Sequence, residues 1–382
     1  MSRVYMDANA TTPLLAEVFE AMRPYWMEHF GNASSAHQFG QHAHRALTVA
    51  REQVADLFGC QESEVVFNSG GTEGDNTAIL GVLRPGDHLI TTSIEHSAVL
   101  RAADRAAGRG VEVTFVAPTP DGLIEPEAVR AALRPNTRLV SMMLANNETG
   151  VLQPAAEVGR IAAEAGVLFH IDAVQAAGKV PLDVRRLGCH LMAVSAHKMH
   201  GPKGVGALYV RRGTLIEPLV VGGTHERRRR AGTENVPSIV GMGKAAELAQ
   251  GVLTDGTLPR LAALRDRLQA GALAIEGTRA HGSRAPRTAN TVNIGFNGVE
   301  GESLVIALDL KGIAISGGSA CASGSTLPSH VLMAMGLSEI EARSSLRFSL
   351  LKSATEADVD YVLAVLPAVV ARRRELASAA AR

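Results

Sequence analysis

The sequence predicts an α/β protein, with a large domain built on a mainly parallel seven-stranded sheet and a smaller α+β domain after it. Three observations predict this. From Thr12 to about Thr254, short β-rich runs alternate with Gly or polar turns and helical patterns, the mark of βαβ units. Some runs are apolar without alternation, as in Leu139, Val140, Met142, Met143 and Leu144, and such strands belong in sheets covered on both faces. The 382 residues exceed the roughly 250–300 at which a single core stops growing, so about two domains are expected.

In order, the expected strands are 64–68, 88–92, 111–116, 138–144, 167–171, 191–194 and 206–210. The texture changes after Thr257: an amphipathic helix at 260–276, a strand at 291–296, a helix at 302–311 and a last helix at 356–374, with the Ala-rich tail after Glu375 expected to fray. The large domain is therefore assigned to 13–255, and the smaller one to 1–12 with 256–382, carrying a loop at about 316–328.

Apolar residues make up 46% of the chain and aromatic ones 4%, so packing must rest on Ala, Val and Leu. Lys plus Arg equals Asp plus Glu at 38 each, leaving no global field to draw the protein onto nucleic acid or an anionic membrane. No run approaches the roughly 18 apolar residues of a membrane span, and the first residues, with Asp7, lack the apolar region of a secretory signal. Cys60, Cys189 and Cys321 form neither a disulfide framework nor a zinc spacing, so a reducing, cytoplasmic setting is expected. Cys60 and Cys189 sit at turns beside apolar runs and read as packing residues.

The chemistry lies where strands should end, the edge at which open α/β sheets bind ligands. Ser195-Ala196-His197-Lys198 follows the run 191–194 and leads into a Gly-Pro turn, which makes Lys198 a candidate Schiff-base amine. Alone, such a Lys is more often a solvated loop residue. His170-Ile171-Asp172-Ala173-Val174-Gln175 ends another strand. Asp172 there could keep a pyridine nitrogen protonated, with Gln175 in reach of a ring oxygen, or simply cap a helix. Ser69-Gly70-Gly71-Thr72 joins a strand to a helix start, where free N–H groups meet a phosphate, although a bare glycine turn looks the same. Its spacing fits neither a dinucleotide fingerprint nor a P-loop.

Three further pieces follow strands or precede helices: Glu95-His96-Ser97, Asn146-Asn147-Glu148-Thr149-Gly150 and Arg230-Ala231-Gly232-Thr233-Glu234-Asn235. His96 could stack on an aromatic ring. Ser316-Gly317-Gly318-Ser319-Ala320-Cys321-Ala322-Ser323-Gly324-Ser325 sets one thiol among small residues, and reads as a mobile loop rather than a packed element.

Together these stretches resemble the NifS/IscS-like cysteine desulfurases, of the class V aminotransferase branch of fold-type I pyridoxal phosphate (PLP) enzymes. The resemblance runs from Asp7-Ala8-Asn9-Ala10-Thr11-Thr12-Pro13 through Phe30-Gly31-Asn32-Ala33-Ser34-Ser35 to Arg347-Phe348-Ser349-Leu350. It implies a fold-type I large domain and PLP as cofactor, with Lys198, Cys321 and His96 as catalytic residues. Lys198 would hold the cofactor and move the substrate's α proton, Asp172 would pair with the ring nitrogen, Gln175 and Asn147 would address the ring oxygen, and His96 would stack on the ring. Gly71, Thr72, Ser195 and His197 would bind the phosphate, with Thr233 supplied by the other subunit of a homodimer, while Asn32 and Arg347 would clamp the substrate carboxylate.

The resemblance further implies that Cys321 takes sulfur from L-cysteine as a persulfide, releasing L-alanine, and that Cys321 is also the one residue offered as a transient iron-sulfur ligand. The acceptor is left open among an iron-sulfur scaffold, nitrogenase assembly and tRNA thiolation. An aminotransferase, a selenocysteine lyase and a non-enzymatic assembly protein are the competing readings. The chain departs from the family at Asp7-Ala8-Asn9-Ala10, which weakens a role there, at Gly318 and Thr326-Leu327-Pro328, and in the basic run His225-Glu226-Arg227-Arg228-Arg229-Arg230, read as a solvated loop beside the phosphate.

Overall fold

Strands without polar residues are stable only between two covering layers, and the apolar runs do line up as one covered sheet. The computed structural model describes residues 3–317 and 327–380. In chain order its strands are β1 (Val4–Tyr5), β2 (Val65–Asn68), β3 (His88–Thr92), β4 (Glu112–Val116), β5 (Thr137–Met143), β6 (Leu168–Asp172), β7 (Leu191–Ser195), β8 (Gly206–Val210), β9 (Thr278–His281), β10 (Thr291–Phe296), β11 (Ile313–Ala314), β12 (Ser316–Gly317) and β13 (Ser345–Ser349).

Seven of them form one sheet in the order β2-β8-β7-β6-β5-β3-β4. Only β8 runs against the rest, pairing antiparallel with β2 and β7, while the other neighbours are parallel. Every residue of β2, β3, β7 and β8 is buried, whereas β4, at the edge, leaves Glu112 and Phe115 exposed. Because β2 and β3 to β7 all run one way, their carboxyl ends meet along a single edge.

Scarce aromatics make close approach of backbones the main packing device. The helices Gln38–Phe58 and Val236–Val252 lie so near each other that a Cβ at Gly243 would sit 2.7 Å from Ala50 Cα. A second core gathers Val4 and Met6 with Leu264, Leu268, Phe296, Phe348 and Val362 around the antiparallel sheet β12-β13-β10-β9. The N-terminal segment reaches it through the β1-β11 pair and an Ala8 N–H that donates to Ser349 O at 3.0 Å. Val331, Leu332, Met335 and Ala342, although late in the chain, pack in the first core.

Two features differ from the sequence reading. The last helix, Glu356–Ala380, continues through the Ala-rich tail, as the high helix propensity of Ala allows. The basic run is not simply solvated, because Glu226 is buried and held by Arg51 in two 2.7 Å bonds, with a third from the Phe67 N–H at 2.9 Å. The Arg51 guanidinium also lies 4.6 Å from the centre of the Phe67 ring. Glu226, Arg227 and Arg228 all have left-handed φ values of 45°, 56° and 67°. Each such residue costs about 1–3 kcal/mol and persists only where its surroundings over-determine it.

The ion pair is that surrounding. Arg51→Met would leave a buried carboxylate uncompensated, and its urea midpoint should fall by the equivalent of about 3–5 kcal/mol. Arg51→Met with Glu226→Met should cost clearly less than the two single changes together. An unchanged midpoint in Arg51→Met would show that the turn is held by something else.

Candidate active site

Five strand ends converge on one cavity. After β2 come Gly71 and Thr72, after β3 His96, after β5 Asn147, after β6 Asp172 and Gln175, and after β7 Ser195, His197 and Lys198. All of these line the cavity, together with Arg347 from β13. Its free volume of about 250 Å³ lies just under the roughly 300–1,000 Å³ of small-molecule sites.

One end is built for an anion. The helix Gly71–Val82 starts inside the cavity, and the first N–H groups of a helix have no intrahelical partner. A Cβ at Gly71 would lie 2.5 Å from Val174 Cγ2, so glycine lets this loop sit against the segment that follows β6. Thr72 and Ser195 add hydroxyls, and His197 contacts Thr11 Oγ1 at 3.1 Å. Burial, then the charges of Lys198 and Lys203, push the His197 imidazole down to about 4, so it meets an anion as a neutral ring.

At the other end, Asp172 accepts the Val174 N–H at 2.9 Å and is buried. Burial raises its pKa, which His96, the Val174 N–H and Lys198 oppose. A carboxylate made more basic in this way holds a proton firmly between itself and a ring nitrogen. His96 caps the helix Ser97–Ala107 by accepting the Ala98 N–H at Nδ1, 3.1 Å, which places the neutral ring's proton on Nε2. Lys198 Nζ donates to Asn9 O at 2.5 Å and Ala10 O at 2.8 Å.

Around these lies a layer of buried acids whose ionisation is opposed by burial. Burial drives Asp75 well up, helped by Asp172 and Glu95, and drives Glu95 up to about 8 and Glu148 up to about 7. Asp75 Oδ1 lies 3.5 Å from His170 Nε2, yet burial holds His170 down to about 3, so Asp75 meets a neutral imidazole there and no ion pair forms.

Of the residues expected at the site, Asn32 is not brought to the cavity. Its side chain is exposed and accepts the Ser34 N–H at 2.9 Å. Thr233 is exposed as well, and Cys321 lies outside the described residues. Cys60 and Cys189 are both pushed up to about 12 by burial, as packing thiols are.

The reading of the sequence missed four contributors. Asn9 takes Lys198 and Gln175 on its carbonyl and donates to Asn147 O at 3.1 Å and Thr291 Oγ1 at 2.9 Å. Asp7 pairs with Arg347 at 2.7 Å, Asp75 lines the cavity, and Lys179 lies behind Gln175. The only signal for Asn9 and Asp7 was the short motif whose role had been discounted. Arg347 is 1% exposed, and its Nε has no partner among the described residues, which leaves a donor for a carboxylate.

The glycine cradle, the buried Asp172 and an amine anchored opposite them fit PLP. Comparisons with known proteins agree. A family model described as aminotransferase class-V matches residues 4–362. The chain is 49% identical over 377 residues to the cysteine desulfurase IscS of Methanosarcina thermophila, covering 98% of this chain and 93% of that protein. It is 49% identical over 380 residues to cysteine desulfurase 2 of Trichormus variabilis, covering 98% and 95%. A solved NifS-like protein superposes with a TM-score of 0.90 at 36% identity, over 97% of this chain and 100% of that one. SspA in complex with cysteine gives 0.80 at 36% identity, over 91% and 98%.

The buried acids give a pH signature. Folded, Glu95 keeps its proton up to about pH 8; unfolded, it loses it near about 4.3. Between these values the unfolded chain binds fewer protons, so this group's contribution to stability falls as pH rises. Glu95→Gln imitates the protonated carboxyl, so its melting temperature should fall less than that of the unaltered protein between about pH 5 and about pH 8. Equal falls would mean that Glu95 ionises freely in the fold.

Proposed function

We propose, on the premise that the chain belongs to the aminotransferase class-V family, that this cavity converts L-cysteine to L-alanine and that Cys321 receives the sulfur as a persulfide. The chain is a PLP-dependent cysteine desulfurase with the fold-type I architecture. What supports the proposed division of labour is the meeting of Lys198, Asp172 and the Gly71 cradle in one cavity.

Bound there, PLP supplies an electron sink for the pair left when the substrate's α proton is removed. Lys198 Nζ, steadied by the carbonyls of Asn9 and Ala10, would be the point of attachment and would take that proton. Asp172 would keep the ring nitrogen protonated, Gln175 and Asn147 would address the ring oxygen, and His96 would stack on the ring, since all of them line the cavity. Gly71, Thr72, Ser195 and His197, in the same lining, would hold the phosphate. Arg347 receives the substrate carboxylate, while a part for Asn32 beside it stands on the resemblance alone.

The sulfur step balances without an oxidant. The Cys321 thiolate attacks the substrate sulfur, the carbon-sulfur bond breaks toward carbon, and that carbon takes a proton to give alanine. A sulfur-sulfur bond remains on Cys321. An ordinary thiol, with a pKa of about 8.5, is only a few per cent thiolate at neutral pH, so the nucleophile needs a neighbouring base or cation.

A second copy of the chain completes the site in this reading. Thr233 is exposed and available to a partner's phosphate end, and Phe19, Trp26, Met27 and Phe30 are large apolar side chains left 49–83% exposed. An iron-sulfur scaffold or another sulfur-acceptor protein takes the persulfide. A carrier thiol works in a reducing compartment, which favours the cytoplasm, and no helix of the described residues is long and apolar enough to cross a membrane.

Alanine and sulfide released from L-cysteine under reducing conditions test the reading. Unaltered protein should be yellow and give both in equal amounts. Cys321→Ala should stay yellow and transfer no sulfur; Lys198→Ala should fold, stay colourless and turn over nothing. Thr72→Ala should weaken cofactor retention by about 1.5–3 kcal/mol without abolishing it. A yellow protein that makes neither product, or an undiminished Cys321→Ala, would remove Cys321 as nucleophile and favour transamination.

A further inference from the structure

We propose that Lys179 is a positioning residue that fixes which end of the Gln175 amide faces the cofactor cavity, so that the cavity meets the N–H end. The inference rests on the reading above, in which Gln175 addresses the ring oxygen of PLP. It concerns a residue outside every motif of the sequence.

Lys179 Nζ donates to Gln175 Oε1 at 2.8 Å and to Asn9 Oδ1 at 3.0 Å. It meets these amide oxygens and, among the described residues, no carboxylate. A half-buried lysine with no acidic partner is uncommon. Burial, then the charges of Lys198 and Arg347, pull its pKa down to about 7. A residue kept at that cost needs a reason in the neighbouring chemistry.

The reason follows from donor counting. An ammonium has three N–H donors and no acceptor, whereas an amide has one end of each kind. Whichever amide end touches Lys179 must be oxygen. Gln175 Nε2 is therefore turned the other way and donates to Asn9 O at 2.8 Å, on the side where Gln175 lines the cavity with Asn147 and Lys198. Asn9 is polarised by the same group: its Oδ1 takes Lys179, and its Nδ2 points at Asn147 O and Thr291 Oγ1.

Loss of a proton does not undo this, because a neutral amine still has two N–H donors, one for each oxygen. Without Lys179, Asn9 Oδ1 retains Asn290 Nδ2 at 3.2 Å, but no other hydrogen bond among the described residues holds Gln175 Oε1. The Gln175 amide could then flip and set oxygen against the electron-rich ring oxygen.

A double-mutant cycle read on cofactor binding tests this without turnover. Cofactor-free protein is titrated with PLP, and the dissociation constant and the position of the visible band are recorded. Lys179→Met should weaken binding about tenfold and shift the band. Lys179→Arg, also a pure donor, should restore both to within about twofold. In a Gln175→Met background, Lys179→Met should add less than about twofold.

A similar tenfold loss in both backgrounds would overturn the proposal, since Lys179 would then act without Gln175. If Lys179→Met fails to fold, Lys179→Arg against Lys179→Gln decides, because glutamine can both donate and accept; equal behaviour of the two overturns it. An effect of Gln175→Met with none from Lys179→Met overturns the proposal alone. No effect of Gln175→Met overturns the assigned role of Gln175 and the proposal together.

Discussion

The site depends on one buried segment, Asn9 to Thr12, held between the two cores. The chain leaves the second core at Met6 and arrives under the strand ends, where Thr12 N–H and its hydroxyl both donate to His197 O. Along the way the Asn9 carbonyl receives Lys198 and Gln175, and its side chain joins Lys179, Asn147, Asn290 and Thr291. A buried amide with every hydrogen-bonding atom engaged tolerates little movement, because any shift leaves a desolvated polar group unpaired. The position of the reactive amine is thus set by a segment far from it in sequence.

That arrangement also governs charge. Several carboxylates are buried near the cavity, and burial pushes the pKa of each upward. Glu95 and Glu148 accept bonds from hydroxyls and N–H groups, but these do not outweigh their burial. His96 favours the ionised form of Glu95, Glu148 and Asp172 alike, but only Asp172 has Lys198 as well, with the Val174 N–H in support. A pyridine nitrogen brought against it would add one more positive partner.

What could be read from the sequence was local. An apolar run followed by Ser-x-His-Lys, Asp-Ala-Val-Gln or Ser-Gly-Gly-Thr places a polar group at a strand end, and strand ends of a parallel sheet share an edge; that rule marked the stretches, and the family resemblance then singled out Gly71, Thr72, His96, Asn147, Asp172, Gln175, Ser195, His197 and Lys198 within them. What could not be read was long-range. Asn9 meets partners from Asn147 to Thr291, and Lys179 shows its use only once Gln175 and Asn9 are side by side. Glu226 stood in a run of arginines and looked solvated, because no local pattern announces that Arg51 waits beneath it.

Asn32 and Thr233, expected at the site, are both exposed. The open cleft at Arg51 and Glu226 is lined by Ala33 and Ser34, next after Asn32, and by Thr224 and Glu234, the latter next after Thr233. Sequence neighbours of both residues therefore line one cleft, whose base is fixed by a buried ion pair. Three consecutive left-handed residues are costly, and a buried bidentate pair holds them more firmly than a solvated loop could. Arg51 and Glu226 thus hold this stretch of the basic run in one conformation.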